Sequence, residues 1–171
     1  MTIHGEHPFA EPADHLRRFR ARLGGAVTLW TAGGDAGGRA GLTVSSVMVA
    51  NGAPGAVAGL LDPDSDLCAT LERTGAAVVH LLSWADRDLA EAFGGTAPAP
   101  GGAFRLRTWQ ESAYGPVLAD RTRVSVRLVG GEDLGWSRLV TASIEDVVVV
   151  DDPDPLEHRR GRYRRTAGSD E

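Results

Sequence analysis

Apolar and polar positions set the first division of the chain. Between Thr122 and Val129 they alternate: Val124, Val126 and Leu128 on one side, Arg123, Ser125 and Arg127 on the other. A period of two is that of a half-buried strand. Leu139–Val150 is more continuously apolar and reads as a well-buried strand, and Ala26–Ala32, Ala56–Leu61 and Ala76–Leu82 read as shorter ones. Gly41–Ala50 forms a further strand, with Leu42, Val44, Ser46 and Met48 on one face and Thr43, Ser45, Val47 and Val49 on the other.

Three stretches follow the helical period instead. From about Pro12, Leu16, Phe19 and Leu23 make one apolar stripe before a stop at Gly24. The interspersed Arg17, Arg18, Arg20 and Arg22 read as a solvated face. Asp66–Arg73 carries Leu67 and Leu71, with Ser65 or Asp64 as N-cap and Gly75 as the terminal glycine. Ser83-Trp84-Ala85-Asp86 resembles a capping box and opens a helix with Leu89, Ala90 and Phe93, ended by Gly94.

Turn residues separate these elements. Gly33 to Gly38 is a glycine-rich hairpin loop, Asn51 to Gly55 a turn, residues 95–103 an irregular loop, and Asp151 to Pro155 another turn. Helices do not alternate regularly with strands, so a doubly wound sheet is disfavoured. The expected fold is mainly β: an antiparallel, six-stranded barrel, closed or half open, with two to three flanking helices. Residues 1–11 read as a mobile start, 12–165 as one domain, and 166–171 as a disordered tail. Within the domain, Leu156–Arg165 is a basic segment whose simplest reading is a solvated tail.

Composition narrows the function. At 171 residues with 42% hydrophobic and 24% charged content, the chain fits one soluble domain that needs no staples. A net charge of −5 argues against nucleic acid as the main partner. Cys68 is the one cysteine, which excludes an internal disulfide and a two-cysteine metal site and suits a reducing cytoplasm. No apolar run approaches the roughly 20 residues of a membrane helix, and the start lacks the pattern of a signal peptide.

No familiar catalytic template is present. The chain has no lysine, no zinc-binding histidine pair and no nucleophile elbow; His4, His7, His15, His80 and His158 are not clustered with carboxylates. The glycine-rich loop at 33–38 lacks the lysine and hydroxyl of a phosphate cradle. What remains is a binding protein or an enzyme whose chemistry belongs to a cofactor. One local feature is unusual: Thr43, Ser45 and Ser46 place three hydroxyls in an apolar strand. They either bond across the sheet or present a polar rim to a ligand.

These motifs together resemble the flavin reductase family of FMN-binding split barrels. Gly41-Leu42-Thr43-Val44-Ser45-Ser46 is similar to that family's G-x-T-x-S/T-S/A strand. Pro54, Leu61-Asp62 and Ser65 fall where its next segment has their counterparts. Ala77-Val78-Val79-His80-Leu81-Leu82 is similar to its FAVNVL strand, with His80 in place of Asn. Asp88 to Gly94 resembles its helix end, and Arg160-Gly161-Arg162-Tyr163 its RGRY tail.

The resemblance implies a split, Greek-key barrel, a homodimer, bound FMN or FAD reduced by NADH or NADPH, and a two-component monooxygenase as a possible recipient of reduced flavin. It implies cofactor contacts from Thr43, Val44, Ser45, Ser46, Asp62, Ser65, Phe93 and Gly94. It also implies that His158, Arg160 and Tyr163 return toward the flavin. His80 reads as a core residue with a satisfied ring. The chain departs from the pattern where the family carries Gly-Asp-His, since the matching stretch is Gly135-Trp136-Ser137. That departure motivates an alternative, a non-catalytic flavin-binding protein of the same fold; a purely structural interaction domain is a third.

Overall fold

The computed structural model describes residues 15–165. The expected N-terminal stretch 1–11, the helix start at Pro12 and the tail 166–171 lie outside the described residues. The elements in order are α1 (His15–Leu23), β1 (Gly25–Ala26), β2 (Thr28–Gly34), β3 (Gly38–Val44), β4 (Val47–Ala50), β5 (Ala56–Leu61), α2 (Asp66–Thr74), β6 (Ala76–Leu81), α3 (Arg87–Phe93), β7 (Arg123–Leu134), β8 (Ser137–Val148), β9 (Leu156–Arg159) and β10 (Arg162–Arg165). The fold is mainly β and antiparallel throughout, as expected. The strand count is corrected: ten strands form a seven-stranded sheet in the order β3-β2-β6-β7-β8-β5-β4 and a three-stranded sheet in the order β1-β9-β10.

The extra strands have a physical origin. The run read as one strand, Gly41–Ala50, divides at Ser45-Ser46, because β3 pairs with β2 while β4 pairs with β5. β3 and β4 are therefore opposite edges of one sheet joined by two residues, and the sheet must curl round on itself to let them meet. No ladder closes β3 onto β4 among the described residues. The carbonyl of Ser46 accepts the Leu60 amide at 3.0 Å, tying the link to β5.

Two apolar clusters fill this architecture. Inside the curl, Trp30, Val44, Val57, Leu61, Val79, Val126 and Val140 pack with Leu67 and Leu71 of α2. Behind β2, Val27, Leu29 and Leu82 pack with Leu89, Ala90 and Phe93 of α3, with Leu118 and with Leu156 of β9. β2 is thus buried on both faces, and its hydroxyls are matched: Thr28 Oγ1 donates to the Val44 carbonyl and Thr31 Oγ1 to that of Pro116, both at 2.6 Å. The local cap signals hold. Ser65 accepts the Cys68 amide, Gly75 ends α2 in the left-handed region, and the Ser83–Asp86 capping box forms on the short 3₁₀ turn ahead of α3.

Two expectations shift. The apolar stripe of α1 is not a core face: Leu16, Phe19 and Leu23 are 62–77% exposed. The basic segment 156–165 is a hairpin rather than a solvated tail. It turns through Arg160 and Gly161, both at positive φ, as a two-residue hairpin turn requires. It is pinned by the Arg160 amide on the Ala21 carbonyl at 2.7 Å and by pairing of Gly25 with His158.

Candidate functional site

The link at Ser45-Ser46, the C-terminal half of α1 and the turn of the β9–β10 hairpin meet around a cavity of about 660 Å³. That volume lies in the range of small-molecule and cofactor sites. One wall is sheet: Met48, Ala58, Leu60 and Leu139, from β4, β5 and β8. Met48 and Ala58 are cross-strand partners, as are Leu60 and Leu139, so the pleat turns all four to the same side. Arg17, Arg20, Leu23 and Gly24 line the cavity too, with His158 and Gly161. Arg20 Nη2 donates to Ser46 Oγ at 3.3 Å, tying α1 to the link between β3 and β4. The cavity therefore joins an apolar wall to a hydroxyl edge and cationic groups, and none of the described residues that line it is acidic.

Gly59 explains why the floor is close to the core. A Cβ there would stand 2.8 Å from Cζ2 of the buried Trp30. The β5 backbone lies directly over that indole, and only glycine permits the approach.

The expected site residues separate into groups. Ser45, Ser46 and His158 line the cavity, and Gly161 beside Arg160 joins them. Tyr163 stands behind His158 as its cross-strand partner, the two rings edge to face at 5.6 Å. Burial raises the Tyr163 phenol's pKa, with a smaller push from Glu91. Arg160 is exposed on the turn.

Thr43, Phe93 and Gly94 come together elsewhere, between β3 and α3. Thr43 Oγ1 donates to the Ala90 carbonyl at 2.8 Å, and Phe93 packs over Gly41 and edge-on to Phe104. Val44 is a core residue. Asp62 and Ser65 shape the turn before α2: Asp62 accepts the Asp64 amide, and Ser65 caps the helix. None of these six is among the residues lining the cavity.

Sequence reasoning missed the α1 contribution. Arg17 and Arg20, one helical turn apart, read as solvated because the pattern does not reveal what lies across from a helix face. Their i, i+3 spacing was the available signal. The apolar wall was missed for the opposite reason: Met48, Leu60 and Leu139 look like any strand residues.

Two ionisable groups outside the cavity are structural. His80 is fully buried, its Nδ1 at 3.1 Å from the Leu29 carbonyl and its Nε2 accepting the Leu118 amide at 3.1 Å. Desolvation lowers its pKa to about 4, so the ring is neutral. Burial acts to raise the pKa of Asp86, but hydrogen bonds from Arg121 and Ser83 outweigh it and hold the carboxyl below its usual value. Its oxygens take Arg121 Nε at 2.6 Å and Nη2 at 2.9 Å, a two-pronged pair. No cluster of three or more metal-binding side chains occurs among the described residues.

Comparison with known proteins adds independent findings. The family model described as flavin reductase like domain matches residues 20–167. An FMN reductase (NADH) of Methylorubrum extorquens is 32% identical over 150 residues, 86% of this chain and 73% of that protein. The reductase component of 4-hydroxyphenylacetate 3-monooxygenase from Pseudomonas aeruginosa is 26% identical over 88% of this chain and 89% of its own. Among solved structures, an NADH:FAD oxidoreductase of Streptomyces globisporus, in complex with NAD and FAD fragments, superposes with a TM-score of 0.81 at 19% identity. The match covers 94% of this chain and 98% of that one.

Proposed function

The chain belongs to the flavin reductase like domain family, and we propose on that premise that it is an NADH- or NADPH-dependent flavin reductase. Its flavin, FMN or FAD, binds in the cavity at Ser45-Ser46. The observation that carries this reading is the lining of one cavity by two adjacent hydroxyls, cationic side chains and apolar sheet residues. A flavin has the same division, a flat ring with a polar rim and an anionic tail. Bound there, the flavin supplies the hydride-accepting chemistry.

The protein's share is position and exclusion of water. Ser45 and Ser46 offer hydrogen bonds to the polar rim, and Leu60, Met48 and Leu139 cover one ring face. His158, backed by Tyr163, borders the site, and Arg160 sets the turn that brings it there. Thr43, Val44, Phe93 and Gly94 support β3 and α3 around the link, and Asp62 and Ser65 fix the start of α2; direct cofactor contact from these six would need the flavin to extend beyond the cavity. No side chain need act as a general acid. The domain at 12–165 is read as the family's split barrel in a curled form, in keeping with sheet edges joined by two residues.

A homodimer is part of the proposal. Leu23 and Met48 line the cavity and are each 69% exposed, and Leu16 and Phe19 continue the apolar surface along α1. A second copy covering that surface would also enclose the site. The names of relatives support a partner monooxygenase that takes up reduced flavin. No helix among the described residues is long and apolar enough to cross a membrane, and the lone cysteine supports a cytoplasmic setting.

Flavin titration tests the site. Replacing Ser45 and Ser46 together by Ala removes two hydrogen bonds worth about 0.5–1.5 kcal/mol each, so FMN affinity falls roughly ten- to a hundredfold. Unchanged affinity with an unchanged melting temperature refutes the placement.

A further inference from the structure

Two apolar surfaces of this chain stand open, and both border the cavity. One is the α1 stripe of Leu16, Phe19 and Leu23; Leu23 also lines the cavity, so the stripe reaches its edge. The other is the end of the β7–β8 hairpin. The ladder between β6 and β7 stops at Arg127, so from Val129 to Leu134 β7 has only β8 beside it among the described residues. Leu134 faces Ser137 in the closing pair, and Gly135, at a φ of 60°, makes the two-residue turn with Trp136. Trp136 is 99% exposed and Leu134 53%.

This arm is held in one direction. Arg138 donates from Nε to Glu72 Oε1 on α2 and from Nη1 to Asp133 Oδ1, both at 3.1 Å. It also extends the cavity wall: Leu139 lines the cavity, and two residues away Ser137 and its partner Leu134 lie on the same side of the sheet. An indole presented on a fixed arm loses little freedom when it is buried, and Trp is prominent among the side chains that anchor protein interfaces.

The two surfaces are complementary. Residues 129–137 hold Glu132 and Asp133 and no basic residue, whereas α1 holds four arginines and no carboxylate. Arm against arm would set like charges together; arm against α1 sets apolar on apolar and acidic beside basic. Across a two-fold axis each arm meets the α1 of the other copy, and the contact is made twice.

We infer that the β7–β8 arms are exchanged in the dimer. Trp136 of one copy seats on Phe19 and Leu23 of the other, at the edge of that copy's cavity, so each site is completed by its partner. This rests on the flavin and dimer readings above and adds to them a residue supplied in trans.

Photocross-linking tests the contact without any flavin. The full chain is made with p-benzoylphenylalanine, an aromatic of similar size, in place of Trp136. Irradiation should give a covalent species of twice 18.0 kDa, with the link mapped by mass spectrometry to α1 between Leu16 and Leu23. A link within one copy, a link elsewhere on the second copy, or no link at all overturns the inference. As a second measurement, Trp136→Ala should raise the dimer dissociation constant at least about tenfold, with melting temperature as a folding check, while Trp136→Phe keeps most of the affinity. A Trp136→Ala protein that dimerises like wild type overturns the exchange. The flavin reading fails separately: a link to α1 in a protein that binds no FMN refutes that reading and leaves the exchanged arm, whereas FMN binding without the link does the reverse.

Discussion

His80 makes the stability of this fold depend on pH in a calculable way. Its ring is fully buried and joins three segments: β6, which carries it, β2 through the Leu29 carbonyl, and the 116–118 segment through the Leu118 amide. Desolvation is the main cause of its depressed pKa, about 4 against 6.5 for a free imidazole; the Leu29 carbonyl and Asp86 oppose that shift, and Arg123 and Arg121 add to it. The unfolded chain takes up a proton below pH 6.5 that the folded chain refuses until about pH 4. The stabilisation is therefore fully present above the unfolded pKa and is lost as pH falls through this window. Between about pH 7 and about pH 5 the loss is about 2 kcal/mol, from the 1.36 kcal/mol carried by each pKa unit.

The perturbation is His80→Gln, which keeps a donor and an acceptor but does not titrate. The assay is urea unfolding of both proteins at the two pH values. Wild type should lose about 2 kcal/mol more than the variant on acidification, or roughly 4–8 °C in melting temperature for a domain of this size. Equal pH dependence in the two proteins refutes the assignment of His80 as a neutral, structural ring.

Gly59→Ala should destabilise by about 1–3 kcal/mol, because the new methyl meets the Trp30 indole at 2.8 Å; urea unfolding measures the cost, and near-ultraviolet circular dichroism shows whether the indole has moved. Sedimentation at micromolar concentration should give a species of twice 18.0 kDa, and Phe19→Glu on the exposed face of α1 should shift it toward monomer; a wild-type protein that sediments only as monomer contradicts the dimer.

What could be read from the sequence was what local chemistry decides. The caps at Ser65 and Ser83, the stop at Gly75 and the alternation through Val124, Val126 and Leu128 depend on residues a few positions apart. The division of Gly41–Ala50 was not legible, because its alternation continues across Ser45-Ser46 while the pairing partners change from β2 to β5. That change is decided by residues far away in the chain. For Leu156–Arg165 the charge of Arg159, Arg160, Arg162 and Arg164 suggested solvation, while the resemblance of Arg160-Gly161-Arg162-Tyr163 implied a return toward the site; Leu156 and Tyr163 anchor the hairpin. In the site, Ser45 and Ser46 stood out because hydroxyls in an apolar strand need partners. Arg17 and Arg20 did not, since an arginine facing a cavity has the same local pattern as one facing water.

Turnover of flavin by this chain can be observed directly. Purified protein is mixed without oxygen with FMN and NADH, then separately with NADPH, and the flavin's visible absorbance is followed in time. At least one of the two nicotinamides should bleach the flavin, with a rate that rises with protein concentration and falls in the Ser45, Ser46 double alanine variant. A protein that binds FMN yet leaves it oxidised with both nicotinamides would contradict a reductase and establish instead a flavin-binding protein without catalysis.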